Sequence, residues 1–124
     1  MQKIFMITAI VFAFLANGLG AFAAHALKEK ISTVYLAVFQ TGVQYQFYHS
    51  LALLFLALLM FHIKNQWLIA SGVAFITGIL LFSTSLYLLS LTAVKWIGII
   101  TPVGGLSFLL AWVFLFSGII KAKF

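Results

Sequence analysis

The chain has 124 residues, of which 65% are hydrophobic and only 6% charged, with a net charge of +6 and no cysteine. A water-soluble domain carries roughly 25% charged residues, so this composition excludes one, and the missing cysteine excludes disulfides, thiolate chemistry and Cys-based zinc sites. The lysines stand singly or in pairs at the ends of apolar runs, where lysine reaches for lipid headgroups. A nucleic-acid footprint would gather them on one soluble face instead, so no nucleic-acid partner is expected.

The charged residues Lys3, Lys28, Glu29, Lys30, Lys64, Lys95, Lys121 and Lys123 leave four uncharged stretches at about 4–24, 43–63, 67–94 and 96–120. A helix needs roughly 20 residues to cross about 30 Å of hydrocarbon at 1.5 Å per residue, and each stretch is that long. Runs such as Leu51 to Phe61 do not alternate apolar with polar, which excludes a transmembrane barrel. The predicted fold is all-α: one domain, 1–124, forming an integral membrane bundle of four transmembrane helices.

The first stretch has a secretory-signal outline, with Lys3 ahead of it and Ala21-Phe22-Ala23 as a small-x-small pattern. Its apolar run exceeds the usual 7–15 residues, so it is expected to remain as the first transmembrane helix. Between it and the second span, Ile31, Val34, Tyr35, Val38 and Phe39 follow an amphipathic helical spacing, and Ser32 is suited to cap the start. This reads as a short interfacial helix feeding the second span, with continuity between the two left open. Trp67 and Trp96 begin the third and fourth spans at the level of an aromatic belt. In the fourth, Pro102 cannot donate to the carbonyl of Gly98 and Gly104-Gly105 follow, which predicts a kink or local break.

An even number of helices puts both termini on one side. Lys3, Lys64, Lys121 and Lys123 then face Lys28, Lys30 and Lys95 across the membrane, and four against three favours cytoplasmic termini.

Antiparallel helices bring the second half of one level with the first half of the next. Most polar residues fall in the half opposite the termini: Asn17, His25, Thr41, Gln44, Tyr45, Gln46, Tyr48, His49, Ser50, Ser83, Thr84, Ser85, Tyr87, Ser90 and Thr101, with Pro102. Gly42, Tyr45, Gln46 and His49 are spaced to share one face of the second helix. Such groups either hydrogen-bond helices together or line a pocket for a lipid headgroup, solute or ion. The candidate ligand-binding set is His25, Gln40, Thr41, Tyr45, Gln46, His49, Ser83, Ser85, Tyr87, Thr101 and Pro102. Histidines without cysteine or a nearby carboxylate make a poor metal set, so no metal is expected.

Glu29 is the only acidic side chain and lies in a connection. Paired-carboxylate chemistry therefore has no residues to run on, and a pairing of Ser83 or Ser85 with His49 would lack an orienting acid. No phosphate loop or dinucleotide fingerprint occurs, and no cofactor is expected. Small-residue stripes run along helix one (Ala9, Ala13, Ala16, Gly20, Ala24) and helix three (Ser71, Ala74, Gly78, Ser85). They suit close helix contacts within one chain or between chains, and four short helices favour a homo-oligomer.

The segments Gly20-Ala21-Phe22-Ala23-Ala24-His25, Gln40-Thr41-Gly42 and Tyr45-Gln46 with His49 resemble the domain-of-unknown-function 423 family. So do Phe82-Ser83-Thr84-Ser85-Leu86-Tyr87 and Thr101-Pro102-Val103-Gly104-Gly105. The resemblance spans nearly the whole chain. It implies a small protein of the bacterial inner (plasma) membrane with several helices, and it brings no established activity. Ala23 stands where the family usually has Gly, and Thr84 where Gly is common; both add bulk at expected close helix contacts. The leading expectation is a non-enzymatic component that binds a membrane lipid, small solute or protein partner at the polar cluster. The alternatives are a small channel or transporter built by an oligomer, and an intramembrane enzyme using His49.

Overall fold

The structure, a computed structural model, describes residues 1–123. Four helices are long and apolar enough to cross a membrane: α1 (Gln2–Leu27), α2 (Thr33–Leu59), α3 (Gln66–Thr92) and α4 (Lys95–Lys121). Helix α2 packs on α1 and on α3, and α4 packs on α3, so α2 and α3 form the centre of the bundle. The flanking helix α1 is the least buried of the four.

The helix ends follow from local chemistry. Ser32 Oγ accepts the Tyr35 amide at 3.2 Å and starts α2, satisfying a donor that the first turn leaves free. The amphipathic residues that follow run without interruption into the membrane-crossing part, so they are the opening turns of α2. Asn65 caps α3 by accepting from the Leu68 amide at 3.1 Å, and its own amide donates to the Gly118 carbonyl of α4 at 3.1 Å. Helix α3 stops at Ala93, a non-glycine residue in the left-handed region (φ 58°).

Two helices carry a π-helical turn, Ala23–Leu27 in α1 and Ile79–Ser83 in α3. The irregularity expected near Pro102 is a 3-10 turn, Lys95–Ile99, that passes into regular α-helix at Ile100. Pro102 therefore falls in the first α-helical turn, where a missing amide costs little, and Gly104-Gly105 remain helical.

Gly104 is where α3 and α4 meet most closely. A Cβ there would lie 2.4 Å from the Phe82 backbone nitrogen and 2.8 Å from its Cα. Phe82 belongs to the π turn, so the bulged backbone of α3 seats against a residue of α4 that has no side chain. The end nearest the termini is closed by an apolar core that includes Phe5, Leu53, Leu56, Leu68, Phe75 and Leu115.

The small-residue stripes serve contacts within the chain. Ala9 and Ala16 are buried and Gly20 faces Val43 of α2. Ser71, Gly78 and Ser85 are buried toward α4, Gly78 beneath the Phe108 ring. Ala23 is fully buried. Thr84 is exposed, so its bulk meets no close helix contact.

Candidate functional site

The polar residues of the interior form pairs between helices. Gln46 is the centre: its amide donates to the Phe12 carbonyl of α1 at 2.8 Å, and its carbonyl oxygen accepts the Tyr87 hydroxyl of α3 at 2.6 Å. One turn earlier, Ser83 donates to the Gly42 carbonyl at 2.7 Å. That approach requires a small residue at 42, because a Cβ would sit 2.8 Å from the Tyr87 ring. Ser85 and Thr101 share a 2.6 Å hydrogen bond between α3 and α4.

His49 is buried against aromatic rings. Its imidazole stacks on Phe108 with centroids 3.6 Å apart and planes 7° from parallel. Trp112 Nε1–H, a donor only, points at His49 Nε2 from 3.4 Å. That assigns the ring proton to Nδ1, which donates to the Tyr45 carbonyl at 2.7 Å. With Nδ1 donating, the one in-plane lone pair, on Nε2, accepts from Trp112, which leaves none open to a metal or a reacting proton. Among the described residues, no group of three His, Cys, Asp or Glu side chains could hold a metal ion.

The candidate set therefore divides. Gln46, Ser83 and Tyr87 come together, as do Ser85 and Thr101, and His49 occupies the aromatic pocket between α2 and α4. The remaining members do not join them. His25 is exposed near the end of α1 and bonds only to the Ala21 carbonyl, 2.9 Å away. Thr41 donates to the Ala37 carbonyl of its own helix at 2.9 Å. Gln40, Tyr45 and Pro102 are exposed. Among the described residues, no buried side-chain nitrogen or oxygen lacks a partner. Hydrogen bonds between α3 and α4 continue into the half near the termini, with Ser71 donating to the Ala111 carbonyl at 2.7 Å and Ser107 to the Ala74 carbonyl at 2.8 Å.

The open polar surface lies outside this network. A groove of about 300 Å³ between α1 and α2 is lined by Ala16, Asn17, Gly20, Ala21, Val43, Gln44, Phe47 and Tyr48. Asn17, Gln44 and Tyr48 are exposed there. Sequence reasoning placed all three in the polar half and left them out of the candidate set. The signal that separates them is the four-residue spacing of Gln40, Gln44 and Tyr48, a helix stripe distinct from the one carrying Gly42, Gln46 and His49.

Four apolar helices with a hydrogen-bonded interior define a multi-pass integral membrane protein. Residues 19–105 match the family described as a protein of unknown function (DUF423), and the chain belongs to that family. It is 42% identical to the UPF0382 membrane protein YwdK of Bacillus subtilis (strain 168), across 97% of this chain and 98% of that protein. It is 39% identical to the UPF0382 inner membrane protein YgdD of Escherichia coli (strain K12), across 98% of this chain and 93% of that one. No solved structure matches. The relatives and the four spans place this chain in the bacterial inner membrane.

Proposed function

We propose that this protein is a non-enzymatic membrane component that recognises a lipid or protein partner through the outward face of α1 and α2. The observation that carries the reading is the division of the polar groups. Those inside the bundle are paired within the chain, whereas Asn17, Gln44 and Tyr48 line an open groove. Gln40, on the same stripe of α2, extends that face toward the end of the helix. The interior residues, His49 included, then act as fixed hydrogen bonds between helices, for which lipid offers no hydrophobic substitute.

A pore through a single chain finds no support, because the apolar core near the termini is filled by Phe5, Leu53, Leu56 and Phe75. Catalysis by His49 would need a free ring nitrogen, and both are engaged. The termini are assigned to the cytoplasm on the lysine distribution.

Native mass spectrometry of protein released gently from its own membrane tests the reading. Gln44→Leu is expected to abolish the bound mass or the oligomer while Ser85→Ala preserves it. Loss with Ser85→Ala and retention with Gln44→Leu would overturn it.

A further inference from the structure

The groove between α1 and α2 poses a problem of depth. Helix α1 spans Gln2–Leu27, and Asn17 lies within three residues of its middle, roughly 4 Å along the axis. Gln44 and Tyr48 line the same groove and so lie at a similar level. The hydrocarbon extends roughly 15 Å to either side of its middle, so headgroups are about 10 Å beyond reach.

Asn17 spends its amide on the Ala13 carbonyl at 3.0 Å, leaving its carbonyl oxygen without a donor. Gln44 and the Tyr48 hydroxyl are exposed, and neither makes a side-chain hydrogen bond among the described residues. Acyl chains offer no partner for these groups, and polar groups facing lipid at this depth are costly.

A second feature points the same way. Ala16, Gly20 and Ala21 form the α1 wall of the groove beside Asn17, and Ala21 is exposed. Small side chains on that wall leave room for another helix to approach closely. A groove between α3 and α4, by contrast, is lined mainly by apolar residues such as Leu80, Leu88 and Trp96 and suits lipid as it stands.

We infer that the occupant of the α1–α2 groove is a second copy of this chain, docked about a two-fold axis along the wall formed by Asn17 and Ala21. The inference rests on the recognition surface proposed above and names its partner. The Asn17 carbonyl oxygen lacks a donor and the Gln44 amide lacks an acceptor, so Gln44 of one copy donates to Asn17 of the other, once on each side of the axis. A two-fold interface needs that kind of self-complementary patch. A different membrane protein or an amphiphilic small molecule would have to supply matching donors and acceptors of its own.

The absence of cysteine from the chain makes the test direct. Ala21→Cys, on the groove wall, keeps both amides, and oxidation in native membranes is expected to give a disulfide-linked dimer. Leu109→Cys, on the exposed face of α4, is expected to give none. In defined bilayers, Asn17→Leu with Gln44→Leu is expected to weaken dimerisation about tenfold, the effect of losing two interhelical hydrogen bonds. Both positions face outward, so circular dichroism should show the fold unchanged.

No dimer at position 21 above the Leu109→Cys level would overturn the inference. So would an unaltered dimer in the double variant. If that variant instead loses a bound lipid or a different protein, the second copy is refuted while the recognition surface stands. If it loses nothing, both fall.

Discussion

Replacing Gln46 by leucine removes the one side chain that ties three helices together. Gln46 is 4% exposed and is bonded to Phe12 on α1 and Tyr87 on α3. The Phe12 carbonyl keeps its position in the helical ladder, so losing its second donor costs about 0.6 kcal/mol, the average for an interhelical bond in a membrane protein. The Tyr87 hydroxyl is worse placed. It loses its carbonyl acceptor and keeps only the Ser83 hydroxyl nearby, which costs roughly 1–3 kcal/mol. The expected destabilisation is therefore about 2 kcal/mol. Removing both members of a buried pair is far milder than removing one, so adding Tyr87→Phe to Gln46→Leu should return part of that loss. Titration of folded protein in mixed micelles with a denaturing detergent, followed by tryptophan fluorescence, measures all four corners of the cycle. Strictly additive effects, with no coupling between positions 46 and 87, would refute the assigned hydrogen bond.

Other outcomes follow from single contacts. Gly104→Ala forces a methyl group onto the Phe82 backbone and should destabilise by roughly 1–3 kcal/mol. Gly105→Ala, whose nearest neighbour would be 3.8 Å away, should be tolerated in the same thermal melt. Ala93→Gly relieves a left-handed backbone and should stabilise by about 1 kcal/mol. His49→Phe keeps the stack on Phe108 and should leave the fold and oligomer intact; loss of all cellular function with an intact oligomer would point to chemistry at the imidazole. For topology, Lys30→Cys should react with an impermeant maleimide added outside the cell and Lys64→Cys should not. The reverse pattern would invert the cytoplasmic assignment of the termini.

The spans were legible because hydrocarbon imposes one rule on every stretch: few charges for about 20 residues. Lysines and tryptophans at the ends marked the third and fourth spans to within two residues, whereas α2 begins ten residues ahead of its uncharged stretch. The shared face of Gly42, Gln46 and His49 was also legible, since helical spacing fixes which residues look the same way. Two features were not. The π turn at Ile79–Ser83 has no residue signature, because it exists to fit the α3 backbone against Gly104, a contact set by tertiary packing. Which polar residues look inward and which outward depends on how α1 lies on α2. Gln44 and Gln46 differ by two positions and face opposite ways, one open to the groove and one hydrogen-bonded to two helices. Composition alone treats them as equivalent. Hydrogen bonds in the half near the termini were underestimated for a similar reason: Ser71 and Asn65 reach backbone carbonyls, which no side-chain count reveals.

The central claim is that the interior of the bundle is sealed and internally hydrogen-bonded, so that recognition takes place on its outer surface. Substituted-cysteine accessibility in native membranes tests this most directly, in a chain that has no cysteine of its own. Ser83→Cys and Ser85→Cys should remain unlabelled by a water-soluble maleimide while exposed Lys30→Cys reacts fully. Labelling at position 83 or 85, in protein that still folds, would mean that water enters the polar cluster and that the bundle holds a solvent-accessible pocket.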